Sequence, residues 1–184
     1  MVNMLQKRAK KAQRCKQVVA QKRREEALES GLPARALRAS HAPIRHCLLT
    51  ESVFEIGMGT LTLARGATPH HLTFATFLLD TYFLGIKDVV LKTVDGQAFD
   101  MYMQAGHAAS PMVSVDPSYA RKLLAAWSRG IGFMPHRDFA AVEKMFGDVS
   151  VDQSDAVFQF GHESKPLYIE GPNDTAPLIQ QRIA

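Results

Sequence analysis

Between Leu72 and Phe83 the chain is almost continuously apolar: LTFATFLLDTYF, with Asp80 as its one charged residue. The run is too short to span a bilayer, which takes about 20 apolar residues. Its Phe and Thr content favours a pleated, two-sided environment over a helix. Preceded by a second strand-like segment at Thr60–Ala64, it predicts a central antiparallel strand covered on both faces. Any fold for this chain must therefore supply two covering layers for that strand.

The flanking segments suggest how. Cys47–Thr50, Val53–Ile56 and Val89–Val94 read as further short strands, with turns at Arg65–Pro69 and Asp95-Gly96. Downstream, Asp116-Pro117 is a helix-start signature, a capping carboxylate followed by proline at the first helical position. Tyr119, Leu123, Leu124 and Trp127 then share one face. A short helix over Asp138–Phe146 ends at Gly147, Val157–Phe160 and Leu167–Ile169 suggest a late hairpin, and Pro177–Ile183 a terminal helix. Strands first and helices next indicate an α+β fold: a mostly antiparallel sheet with two or three packed helices. Gly31, Pro33 and Pro43 mark a linker, so the expected organisation is a basic helical leader over 1–30, a linker over 31–43 and one domain over 44–184.

Charge separates leader from domain. The 184 residues hold 22 Lys+Arg and 18 Asp+Glu, a net of +4. Residues 1–24 carry Lys7, Arg8, Lys10, Lys11, Arg14, Lys16, Lys22, Arg23 and Arg24 and no acid, a local +9. The other 160 residues hold thirteen basic and eighteen acidic side chains, a net of −5. Nine cations without an acid can neutralise several phosphates and release counterions, the physics of salt-dependent RNA or DNA binding. No Phe, Tyr or Trp is interleaved, so base stacking is not implied. A solvated tail is the alternative. Two cysteines, Cys15 and Cys47, cannot build a disulfide framework or a four-thiolate zinc site.

Several positions invite chemistry. Asp80 inside the apolar run is an acid that needs a partner. It reads as a catalytic carboxylate that joins Asp88, His136 and Asp138 around a divalent metal, or as a structural residue paired with Lys87, Arg65 or the backbone. His136-Arg137-Asp138 reads as a metal-binding HxD or as a turn in which Asp138 caps a helix. His70 and His71, adjacent on an extended segment, point to opposite faces and cannot share an ion. Lys87, His162, Lys165, Tyr168 and Asp174 would form a small binding surface around Gly161–Asp174, whose Gly and Pro also fit turn chemistry. Nucleotide-binding loops, nucleophile elbows and HExxH are absent from the sequence. Cys47 beside His46 resembles a nucleophile and base only by adjacency.

Three segments carry a family resemblance. Phe77-Leu78-Leu79-Asp80 with Leu84-Gly85-Ile86-Lys87-Asp88 resembles an FLVDxYxLGVKD segment found in a group of bacterial proteins. Gly132–Phe139 is similar to that group's LGFxPHxDF segment, and Phe160–Asp174 to its FGxxGKPxYxxGPxD ending. The three span about 100 residues in the same order. Ser164 stands where the group has Gly, Ile131 where it has Leu, and Thr81-Tyr82-Phe83 keeps the aromatic residue but not the Cys. The resemblance implies a soluble bacterial domain in which Asp80, Lys87, His136, Asp138, Lys165 and Asp174 face one surface. It carries no established activity.

The sequence thus leads to a cytoplasmic protein that binds RNA, DNA or a ribonucleoprotein through its leader, without cofactor and without a membrane. A metal-dependent, nuclease-like hydrolase using Asp80, Asp88, His136 and Asp138, with a divalent metal as cofactor, is one alternative. A protein-interaction or regulatory module is the other.

Overall fold

A computed structural model describes residues 31–129, 136–151, 155–163, 165–170, 175–177 and 180. Its strands are β1 (Ile44–Thr50), β2 (Met58–Thr68), β3 (His71–Asp80), β4 (Gly85–Asp95) and β5 (Met112–Ser114). They form one antiparallel sheet in the order β4-β3-β2-β1-β5. Helices α1 (Leu32–Ser40), α2 (Val53–Ile56), α3 (Gly96–Ala109), α4 (Pro117–Arg129) and α5 (Phe139–Val142) surround it, and a 3₁₀ turn at Glu143–Phe146 follows α5. The protein is α+β. Among the described residues no helix is long and apolar enough to cross a membrane.

The apolar run is β3, an interior strand hydrogen-bonded to β2 and β4. One face carries Ala75, Phe77 and Leu79, which join Leu61, Leu63, Ile86, Val89 and Leu91 beneath Ala36, Leu123, Leu124, Trp127, Phe139 and Phe146. The opposite face carries Leu72 and Phe74, covered by Phe99 of α3. Two separate layers therefore bury one strand, as alternation of apolar side chains on both faces requires.

Strand β4 reaches the main core despite a broken alternation. Leu78 pairs with Asp88 but Leu79 pairs with Ile86, so Lys87 is an extra residue in a β-bulge. The bulge puts Ile86 and Val89, three positions apart, on the same buried face. Without it, one of the two would point away from the core.

The structure departs from the sequence expectations at several elements. Residues 31–43 are not a linker: α1 occupies them, with Pro33 in its first turn and Ala36 fully buried. Proline is compatible with a first helical turn because the N–H it lacks would find no partner there. Val53–Ile56 is one helical turn rather than a strand, closed by Gly57 in the left-handed region (φ 77°). Asp95-Gly96 is not a hairpin turn: Asp95 accepts the Ala98 N–H at 2.7 Å and caps α3. The turn after β2 sits at Pro69-His70, because β2 continues to Thr68. Val157–Phe160 and Leu167–Ile169 form no ladder with each other, and among the described residues the β pairing of that region is a His162–Lys165 bridge. The leader helix lies outside the described residues, as does most of Pro177–Ile183.

Candidate functional site

Around the hairpin joining β3 to β4, described residues of the three motif segments come together. Asp80, the last residue of β3, is fully buried. Its Oδ1 accepts the backbone N–H groups of Tyr82 (3.1 Å) and Phe83 (2.8 Å), an Asx-type turn that reverses the chain at 81–84. The turn in turn anchors its neighbours. Thr81 N–H donates to Gly57 O at 2.9 Å, Thr81 Oγ1 to Val53 O at 3.2 Å, and the Tyr82 hydroxyl to Glu55 O. Thr81 O accepts the Gly161 N–H (3.0 Å), and Tyr82 O accepts that of Leu167 (3.2 Å). On β4, Ile86 O accepts the His136 N–H at 3.2 Å.

Burial raises the Asp80 pKa, while N–H groups of Phe83, Leu84 and Tyr82 and the charge of Lys87 act in the opposite direction. Its second oxygen, Oδ2, is buried and makes no hydrogen bond. Of the structural readings open for Asp80, hydrogen bonding to the backbone is met directly, and Lys87 acts on it through charge. Arg65 is engaged elsewhere, donating to Ser40 O (2.8 Å), Ala42 O (2.6 Å) and Phe146 O (2.8 Å).

Asp88, His136 and Asp138 do come together. His136 Nε2 lies 3.6 Å from Asp88 Oδ1, and Nδ1 lies 4.0 Å from Asp138 Oδ2. The same Nδ1 accepts the Asp138 N–H at 3.3 Å. A neutral imidazole accepting at Nδ1 carries its proton on Nε2, facing Asp88. Both ring nitrogens are thus oriented by the protein, which suits a brace between β4 and the α5 entry better than an open general base. Asp138 occupies the N-cap position of α5 without a side-chain capping bond, and its carboxylate lies instead 3.8 Å from Arg137 Nε. Among the described residues no group of three or more His, Cys, Asp or Glu is arranged to hold a metal ion. The four proposed catalytic residues therefore divide into a braced surface trio and a buried turn-former.

The loop surface is partly assembled. Lys87 Nζ lies 5.9 Å from the centroid of the Tyr168 ring, and Tyr168 meets Phe83 edge-on at 5.7 Å. His162 meets Tyr82 at 5.2 Å. Lys165 is exposed in the same loop. Asp174 lies outside the described residues, as do all nine leader cations. A cavity of about 470 Å³ beside this loop is lined by Phe54, Tyr82, Tyr119, Phe158, His162 and Glu163 among others. Gln159 adds a further polar group to this lining, and burial raises the Tyr119 pKa.

Cys47 is no nucleophile partner of His46. Cys47 is buried in the main core with its thiol pushed up to about 12, by burial first and then by Asp116. His46 lies on the other face of the sheet, stacked on Phe99 at 5.2 Å.

One feature escaped sequence reading. A groove of about 390 Å³ runs under α1, lined by Arg35, Arg38, Arg65, His71, Thr73 and Thr93 with small residues and backbone. No carboxylate of the described residues lines it. Arg35 and Arg38 looked like linker residues, and a regional charge sum hid them. A larger hollow of about 940 Å³ on the other side of Arg65 is mixed in charge, with Arg121 and Lys144 beside Glu143 and Asp148. Comparison with protein-family models, with curated proteins and with solved structures finds no match for this chain.

Proposed function

We propose that the protein is a nucleic-acid- or ribonucleoprotein-associated binding protein whose leader contacts phosphates. The observation that carries this reading is the run of nine Lys and Arg without an acid over residues 1–24. A chain segment of that charge gains affinity for a polyanion from counterion release, with no need for a shaped pocket. Beyond Glu25, Glu26 and Glu29, α1 carries two further cations, Arg35 and Arg38. A cytoplasmic location and an RNA or ribonucleoprotein partner go with this reading. The hydrolase alternative keeps Asp88, His136 and Asp138 but has lost Asp80 to the hairpin turn.

The test compares the full chain with a variant in which all nine leader cations are glutamine, using a fluorescent single-stranded RNA. For the parent, log K against log salt should be linear, with a slope of about −4 if roughly six phosphates are neutralised. The variant should lose most of that slope and at least about a hundredfold in affinity at 50 mM salt. Equal binding by the two proteins would overturn the reading.

A further inference from the structure

The groove beneath α1 arises where the core-facing side of the sheet changes character. Leu63, Ala75 and Leu91 form one cross-strand row, and it is apolar. The neighbouring row, Arg65, Thr73 and Thr93, points to the same face and is polar. Thr73 and Thr93 share a hydroxyl–hydroxyl contact of 2.9 Å, and His71 extends the floor. Above this floor α1 presents Arg35 and Arg38, three residues apart and so on one helix face.

The electrostatics favour an anion. Arg65 spends both terminal nitrogens on the carbonyls of Ser40, Ala42 and Phe146, so it supplies a fixed positive charge to the wall. Arg45 donates to Gly66 O (2.9 Å) and Ala67 O (2.7 Å), which occupies two rim carbonyls that would otherwise repel an anion. Arg35 uses one donor on Leu91 O at 3.4 Å and has five in all. Among the described residues, two nearby carboxylates have other partners: Asp95, opposite His71, caps α3, and Asp148 acts on Arg65 from the larger hollow. A volume of about 390 Å³ suits a small ligand group.

We infer that this groove is a phosphate-binding subsite of the folded domain. Arg35 and Arg38 are its guanidinium donors, the Thr73 and Thr93 hydroxyls are its neutral partners, and Arg65 is its fixed background charge. The inference rests on the nucleic-acid reading above and deepens it: the leader gathers the polyanion, and the groove seats one phosphate in a defined place. The recognised chemistry is a phosphate group, of a nucleic-acid backbone or of a free nucleotide.

The experiment follows backbone amide shifts of Gly66, His71, Thr73 and Thr93 in the ¹⁵N-labelled full chain. The probes are a single-stranded RNA octamer without terminal phosphates, and AMP. Saturable shifts at these amides with the RNA are expected, and they should persist when the nine leader cations are glutamine. R38Q, at an exposed position, should weaken the groove response about tenfold, the scale of one charge-assisted contact, and R35Q/R38Q should abolish it. Saturation by AMP with no response to RNA would support the subsite while removing nucleic acid as its source. Absence of shifts with both probes would overturn the subsite. So would groove shifts that vanish with the leader charges, or a folded R38Q and R35Q/R38Q pair that both respond like the parent; leader-driven RNA binding could survive each of these results.

Discussion

Asp80 shows how much one residue's surroundings decide. Its carboxylate is fully buried, it reverses the chain by accepting two N–H groups, and one oxygen has no hydrogen bond. Because burial raises its pKa above the ordinary 3.8, the folded state holds this proton more tightly than the unfolded state. Its contribution therefore favours the folded state at low pH and declines as pH rises from about 4 through the folded-state pKa. Asp80→Asn keeps an acceptor for Tyr82 and Phe83 and removes the titration. In urea melts across pH 4 to 8, that variant should lose this declining component and be at least as stable as the parent at neutral pH. Asp80→Ala should cost about 1–3 kcal/mol, since two N–H groups lose their acceptor. A strong loss of stability at pH 7 in Asp80→Asn would refute the account. The sequence made the acid conspicuous within an apolar run, but its partners lie two and three residues ahead in a turn that periodicity cannot reveal. The surface trio was legible only in part for a related reason: Asp88 is far from His136 in sequence, and folding brings the two to 3.6 Å.

At the scale of elements, α3 is held to the sheet chiefly by Phe99, its one fully buried residue, with Met103 partly buried beside it. Phe99 meets Phe74 edge-on at 5.4 Å and His46 at 5.2 Å, while Tyr102 lies 4.8 Å from Phe74. Phe99→Ala should cost about 3–5 kcal/mol, the usual range for truncating a buried Phe. Hydrogen exchange should accelerate across 96–109 more than across α4, whose Leu123, Leu124 and Trp127 sit in the separate, larger core. Equal acceleration in both helices would contradict two independent layers. This sparse anchoring is also why α3 could not be read from sequence: a single buried position leaves no stripe to recognise. In α4, where Leu123, Leu124 and Trp127 are all buried, the helix and its Asp116-Pro117 start were both legible. There Asp116 accepts the Ser118 N–H at 2.7 Å, and its pKa is lowered chiefly by the Ser118 hydroxyl. The single turn of α2 was misread for a different reason, since four residues are too few to distinguish a helical from a strand period.

For the whole molecule, the division of charge into a basic leader and an acidic remainder is correct as arithmetic and incomplete as geography. Folding brings Arg65 of β2 beside Arg35 and Arg38 of α1 in a groove that no carboxylate of the described residues lines, which a sum over sequence cannot express. The outer edge of the sheet is a second property of the whole. On β4, Ile86 O is taken by the His136 N–H, the Val89 N–H by Asp88 Oδ1 at 2.8 Å, and Leu91 O by Arg35. These are main-chain groups that an incoming strand would need. Asp88→Val should expose the Val89 N–H and remove a gatekeeping charge, so light scattering should show association rising with protein concentration beyond that of the parent. No change up to millimolar protein would argue that the other contacts suffice. The opposite edge, β5, is only three residues long. With three main-chain groups of β4 occupied and β5 a stub, these stretches of edge offer a poor template for recruiting a peptide as an extra strand. A strand arriving at either end of the described sheet would thus meet side chains and charge before it met a long run of open backbone.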